Sequence, residues 1–192
     1  MNVILASQSP RRRQLLEQMG FTNFKVCPAR GEETADPGLT PARLVEVLSR
    51  QKAAEVAAGA GEDDLIIAAD TVVSLDGQVL GKPHSREQAV RMLTALSGRE
   101  HTVYTGVTVR RGSQVLTRHE ATQVRFRPLT AEEIDAYTAT GEPMDKAGAY
   151  GIQGRGALLV RGIDGDYFNV VGLPVCLLGQ MLLDFGVDPL LI

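Results

Sequence analysis

The sequence predicts an α/β fold, and three observations carry the prediction. Val3-Ile4-Leu5-Ala6 is a short apolar run followed by Ser9-Pro10, which reads as a buried strand leading into a helix start. Leu65-Ile66-Ile67-Ala68-Ala69 is a continuous apolar run, the pattern of a strand covered on both faces. Residues 103–109 and 122–126 alternate apolar and polar side chains and lie between stretches with helix caps. The 192 residues suffice for one domain of generous size or two small lobes around a cleft. No linker or repeat divides them, so a single domain over 1–192 is expected.

Composition narrows the function classes. Hydrophobic content of 44% and charged content of 22% are those of an ordinary soluble globular protein. No apolar run nears the roughly 20 residues that a membrane helix needs, and the start lacks the basic segment and long apolar stretch of a signal peptide. Cys27 and Cys176 stand in no metal-like spacing and read as reduced cytosolic thiols. A cytoplasmic protein with no membrane partner is expected. The net charge of −3 disfavours general nucleic-acid binding but allows a local basic cleft for a small anion.

Taken in order, the first helix spans about 10–19, with Leu15, Leu16 and Met19 as its apolar side and Gly20 as its stop. Arg11, Arg12 and Arg13 crowd its first turn, where cations oppose the positive end of the helix dipole. Two readings stand: arginines on a solvated face, or an anion that amides, dipole and guanidinium groups all address. A short strand follows at 24–27, then a loop over 29–39 holding Glu32 and Glu33, on composition alone a solvated acidic turn. Thr40-Pro41 opens a long helix to about residue 58. Leu44, Leu48 and Lys52 share one line of it, and the pattern favours a lysine that snorkels to water over one that enters a cleft.

The strand at 65–69 is expected to end in Asp70-Thr71. A charge straight after a buried strand needs a metal or a basic partner, and ligands gather at the carboxyl ends of strands in open α/β sheets. Asp76-Gly77 marks a two-residue hairpin within 72–80. Gly81-Lys82-Pro83 lacks the upstream glycine of a phosphate loop. Capping boxes Ser85/Gln88 and Thr130/Glu133 open helices ending near Leu96 and Gly141. Residues 142–156 read as a glycine-rich loop, 157–163 as a strand, 167–171 as a strand pairing back, and Pro174 as the start of a last apolar helix.

The groups out of place for folding alone are Ser7, Ser9, Arg11, Arg12, Glu33, Lys52, Asp70, Lys82, Lys146 and Gln153. Several cations with two or three carboxylates suit a polyphosphate and a divalent metal held through oxygen. A carboxylate near such a metal can orient and deprotonate water. His84, His101 and His119 fall in no triad or ligand spacing, and no serine sits in a nucleophile elbow.

Long motifs then bring a resemblance into view. LASQSPRR at 5–12, AADT at 68–71, GKP at 81–83, LSGREH at 96–101, GEPMDKAGAYGIQG at 141–154 and GDYFNVVGLP at 165–174 resemble, in order and over nearly the whole chain, the Maf family of nucleoside triphosphate pyrophosphatases. The resemblance implies an elongated twisted mixed sheet flanked by helices, with two lobes around a cleft, similar to inosine triphosphate pyrophosphatases. It implies a cytoplasmic homodimer, dependent on Mg or Mn, that hydrolyses a nucleoside triphosphate to monophosphate and pyrophosphate. Carried over by position, Asp70 is the proton acceptor and, with Glu33, a metal ligand. Lys82 and Lys52 are catalytic cations, and Ser7, Arg11, Arg12 and Lys146 contact substrate. Glu32 departs from the family's usual Asp-Glu pair. Thr71 and Gln153 resemble the branch acting on dTTP and UTP rather than the 7-methyl-GTP branch, with Arg12, Thr71 and Gln153 as the specificity set. The resemblance implies a house-cleaning role on pyrimidine nucleotides and a link to cell-division arrest. The alternative is a nucleotide-sensing regulator inhibiting septum formation, in which binding occurs without turnover.

Overall fold

Three long antiparallel strands run the length of the protein and carry everything else. β3 (Leu65–Leu75), β5 (Glu100–Arg111) and β6 (Gln114–Phe126) pair in that order. At about 3.3 Å per residue each is near 35–40 Å long, so the sheet is elongated. The computed structural model describes residues 2–31 and 34–192. In it a seven-stranded mixed sheet has the order β2-β1-β3-β5-β6-β7, with β4 (Gln78–Leu80) paired to β3. β1 (Val3–Leu5) is parallel to both β2 (Phe24–Val26) and β3, as a strand–helix–strand unit requires. β7 (Val160–Asp164) closes the other edge.

Apolar side chains collect at the two ends of the long strands. At one end α1 (Pro10–Gln18) and α6 (Val175–Leu183) cover Leu65, Ile67, Ala69, Val107 and Val109 through Leu16, Leu178, Met181 and Leu182. At the other, α3 (Arg86–Leu96) and α4 (Ala131–Ala139) cover Val73, Leu75, Val103, Val124 and Phe126. The two lobes expected from the sequence are these two cores, joined by shared strands. α2 (Pro41–Ala57) lies on the opposite face of the first, where Ala53 and Val56 meet Ile4, Ile66 and Ala68. It can lie that close because β5 has Gly106 beneath it: a Cβ there would stand 2.2 Å from the Val45 carbonyl oxygen.

Local signals place most boundaries. Ser9, Thr40, Ser85 and Thr130 each cap a helix through the side-chain oxygen. Asp76 and Gly77 both have positive φ, 52° and 80°, as the tight hairpin between β3 and β4 demands. Four expectations are corrected. β3 does not stop at Asp70 but continues to Leu75, because Val72 and Val73 extend its apolar faces beyond the charge. Residues 167–171 form a short helix, α5 (Tyr167–Val171), rather than a strand: Asp166 caps the Phe168 amide at 2.7 Å, and Gly172, at φ 124°, ends the turn. Residues 154–158 form a 3-10 turn, so β7 begins only at Val160. The Ser85 box is also half-made, since Gln88 accepts from the His84 amide rather than the Ser85 amide.

Candidate active site

The site forms where the sheet is deliberately incomplete. Along one edge of β3, β1 pairs with Leu65–Ile67 and β4 with Val73–Leu75. Among the described residues no strand pairs with residues 68–72 on that edge, and a cleft of about 750 Å³ opens there. Ser7, Arg11, Arg12, Lys52, Asp70, Thr71, Lys82, Lys146 and Gln153 all line it. The structure thus brings together every sequence-predicted site residue except Glu33, which lies outside the described residues.

Asp70 sits inside β3, only 8% exposed. Alternation along the strand sends Asp70 to the α2 face and Thr71 to the other. Lys52 descends from α2 and donates to the Asp70 Oδ1 at 2.5 Å. The snorkelling reading of Lys52 is therefore wrong: its ammonium ends in the cleft against a carboxylate, its side chain 17% exposed. Leu44 and Leu48, on the same line of α2, line the cleft with it. Gly106 pairs across the ladder with Asp70, so the residue that lets α2 approach the sheet stands beside the charge that α2 neutralises.

The first turn of α1 divides its arginines among three tasks. Arg13 bonds Glu17 at 3.0 Å on an exposed face, an ordinary i,i+4 pair. Arg12 turns inward: Nε donates to the Gly172 carbonyl at 2.7 Å, Nη2 to Thr71 Oγ1 at 3.0 Å and Nη1 to Ser7 Oγ at 3.3 Å. Thr71 in turn bonds Thr105 at 2.9 Å, and Thr105 donates to the Asn169 carbonyl at 3.0 Å. Arg12 therefore ties α1, β3 and the end of α5 into one wall. Arg11 reaches across the cleft to Asp145 of the other lobe at 3.6 Å.

The opposite wall is built from loops. Lys146 donates to Asp145 and to the Glu142 carbonyl, both at 2.6 Å, so its charge is spent mainly within the wall. Burial pushes Asp145 up, but the Lys146 bond and the charges of Lys146 and Arg11 outweigh it and hold the carboxyl below its ordinary range. Lys82 is exposed and makes no hydrogen bond or ion pair with any described residue. Gln153 is likewise exposed toward the cleft. Tyr150 lines the cleft from an aromatic cluster with Phe126 and His101, and its hydroxyl meets His101 Nε2 at 2.6 Å.

Among the described residues no group of three His, Cys, Asp or Glu could hold a metal ion. The cleft carboxylates are Asp70 and Asp145. That donor set does not suit an all-protein cage. It suits a hard cation held by one or two carboxylates together with water and phosphate oxygens. Sequence reasoning missed Asp145, Tyr150 and His84 as cleft-lining groups. His84 follows Gly81-Lys82-Pro83 directly, and Asp145 and Tyr150 lie in the motif at 141–154 with Lys146 and Gln153, so nearness to candidate contacts was the signal available.

The family model described as Maf-like protein matches residues 2–185. A protein of Moorella thermoacetica named dTTP/UTP pyrophosphatase is 57% identical, covering 97% of this chain and 96% of its own. Proteins with the same name from Pelotomaculum thermopropionicum and Bacillus pumilus are 54% and 48% identical, each matched over 98% of its length and over 98% and 97% of this chain. Among solved structures, the Staphylococcus aureus Ham1 protein is 16% identical with a TM-score of 0.47, over 66% of this chain and 72% of that one, a likeness too partial to carry weight. With a family match that spans nearly all its residues and relatives near half-identical end to end, this chain belongs to the Maf-like protein family.

Proposed function

We propose that the protein is a nucleoside triphosphate pyrophosphatase that hydrolyses dTTP and UTP to the monophosphate and pyrophosphate, in a house-cleaning role on pyrimidine nucleotides. The observation that carries this reading is the Lys52–Asp70 pair, 2.5 Å apart, at the floor of a cleft whose rim holds Arg11 and Lys82. The names of the relatives from Moorella and Pelotomaculum support the same reaction and base preference.

In this reading the triphosphate lies along the α1 start, where free amides and the helix dipole favour anions. Arg11 and Lys82 contact the phosphate oxygens and offset the charge that grows on them in the transition state. The Asp70 carboxylate takes the proton of a water whose oxygen attacks the α-phosphorus. The new bond is water oxygen to Pα, and the broken bond joins Pα to the α,β-bridging oxygen. Pyrophosphate departs with that electron pair. Lys52 holds the Asp70 carboxylate in place and donates toward the reacting oxygens. A bound Mg or Mn would lower the charge on the phosphates, with Asp70 as its carboxylate ligand and Glu33 as the second.

Base choice falls to Arg12, Thr71 and Gln153. The amide of Gln153 offers one donor and one acceptor, matching a pyrimidine edge that presents both. Ser7 orients Arg12, and Lys146 holds the facing wall near the substrate. A cytoplasmic homodimer acting on small-molecule substrates completes the reading. None of the described helices is long and apolar enough to cross a membrane.

The test is a panel of nucleoside triphosphates with Mg²⁺ or Mn²⁺, with products identified. Turnover of dTTP and UTP to monophosphate and pyrophosphate is expected. Orthophosphate release removes the reaction class, turnover of 7-methyl-GTP alone removes the base preference, and tight binding without turnover replaces the enzyme by a nucleotide sensor.

A further inference from the structure

Gln153 has no side-chain hydrogen bond of its own within the described structure, so its place depends wholly on residues 151–156. That segment is wrapped around one carboxylate. Glu142 Oε1 accepts from the Gly156 amide at 2.9 Å and from the Tyr137 hydroxyl at 3.0 Å, while Oε2 accepts from the Arg155 amide at 3.1 Å. Tyr137 extends the clamp, since its hydroxyl oxygen lies 3.4 Å from the Gly151 amide that donates to it. The backbone of Glu142 is itself anchored: its amide donates to Thr140 Oγ1 at 3.1 Å, and its carbonyl accepts from Lys146.

The glycines of the segment record how tightly it is wound. A Cβ on Gly154, at φ 65°, would stand 2.9 Å from Glu142 Oε2. A Cβ on Gly156 would stand 2.1 Å from the Gly151 carbonyl oxygen and 2.8 Å from the Tyr137 hydroxyl. Neither position has room for a side chain while the clamp is closed. Three donors converge on two oxygens, a task for an acceptor-only carboxylate and not for an amide, which brings a donor of its own. Burial pushes Glu142 up, yet the Gly156 and Arg155 amides and the Tyr137 hydroxyl outweigh it and keep the carboxyl below its ordinary range.

We infer that Glu142 is a positioning residue for base selection: by gathering the Arg155 and Gly156 amides and the Tyr137 hydroxyl, it fixes the loop that presents Gln153 to the nucleotide base. The inference rests on the proposed role of Gln153 as a base contact. Glu142 is not among the residues that line the cleft, so its route to the nucleotide is that loop. Its loss therefore changes which base is accepted more than it changes phosphate chemistry.

The experiment compares Glu142→Ala, Glu142→Gln, Gln153→Ala and the double variant Glu142→Ala/Gln153→Ala in the full-length chain. The readouts are kcat and KM for dTTP and dCTP, and amide hydrogen exchange of residues 151–156. Glu142→Ala is expected to speed exchange in that segment and to lower the dTTP-over-dCTP preference about tenfold, mainly through KM. Glu142→Gln, with one acceptor left, falls between it and the parent. The double variant discriminates no worse than Gln153→Ala alone, because both changes remove one function. Unchanged exchange in Glu142→Ala overturns the inference, as does an unchanged preference where Gln153→Ala lowers it, or full additivity. An unchanged preference in Gln153→Ala overturns the base-contact reading beneath it. If Glu142→Ala does not fold, Tyr137→Phe, which deletes one hydroxyl from the clamp, is subject to the same criteria with a smaller shift.

Discussion

The two walls of the cleft hold their functional groups by opposite means. Asp70 is set by regular structure: it is one residue of an eleven-residue strand, paired on one side with β5 and met from above by Lys52. Gln153 is set by irregular structure: 3-10 turns, glycines without room for a Cβ, and side chains that gather backbone amides. The chemistry of breaking a phosphate bond sits on the rigid wall, and the proposed choice of base sits on the wall that sequence change can remodel. Placement of reacting groups on sheet and helix is the more exact of the two, and loops are where recognition is varied.

Changes to the strand wall should have the larger effects. Asp70→Asn keeps the shape but removes the proton acceptor, and turnover of dTTP should fall by about 10²–10⁴-fold with nucleotide affinity largely kept; steady-state kinetics with a binding titration check this. Lys52→Met leaves Asp70 buried without its cation. Breaking such a pair costs about 3–5 kcal/mol, so urea midpoints should drop in parallel with activity. A double variant with Asp70→Asn should recover most of the stability and none of the turnover.

The joint between the loop wall and the sheet carries a pH signature: His101, on β5, meets the Tyr150 hydroxyl of the loop wall. His101 is 3% exposed, and burial pulls its pKa down from 6.5 to about 4. The unfolded chain therefore takes up a proton below pH 6.5 that the folded protein refuses until about pH 4. The His101 contribution to stability should fall as pH drops through that window, by about 2 kcal/mol at pH 5, and that contribution should level off below pH 4. Denaturant unfolding at pH 7 and pH 5 measures it, and His101→Phe should lack the decline. Gly106→Ala tests the support of the strand wall: a methyl 2.2 Å from the Val45 carbonyl must push α2 outward, with about 1–3 kcal/mol lost and KM for dTTP raised through displaced Lys52. Arg13→Ala is the smallest change, within about 0.5 kcal/mol and without effect on turnover, because Arg13 only meets Glu17 on an exposed face.

The same contrast explains what could be read from the sequence. Caps, the Asp76-Gly77 hairpin and the apolar runs are local, so they were legible. Arg11 and Arg12, singled out by the resemblance, both line the cleft, while Arg13 meets Glu17 on an exposed face. Lys52 was misread because a stripe of Leu44, Leu48 and Lys52 shows a face but not what lies opposite it. Asp70 looked like a strand end because a charge inside a buried strand is affordable only with a partner from a distant helix. Residues 167–171 are aromatic or β-branched apart from Asn169, and that composition hid a helical turn fixed by Asp166 and Gly172. The Glu142 clamp depends on amides 13 and 14 residues away, and no periodicity reports such a contact.

The claim at the centre of this account is that water attacks the α-phosphorus of a pyrimidine triphosphate in the Asp70 cleft. Hydrolysis of dTTP in ¹⁸O-labelled water tests it most directly. The account predicts one labelled oxygen in the monophosphate and none in the pyrophosphate. Label in pyrophosphate, or release of orthophosphate, would contradict it.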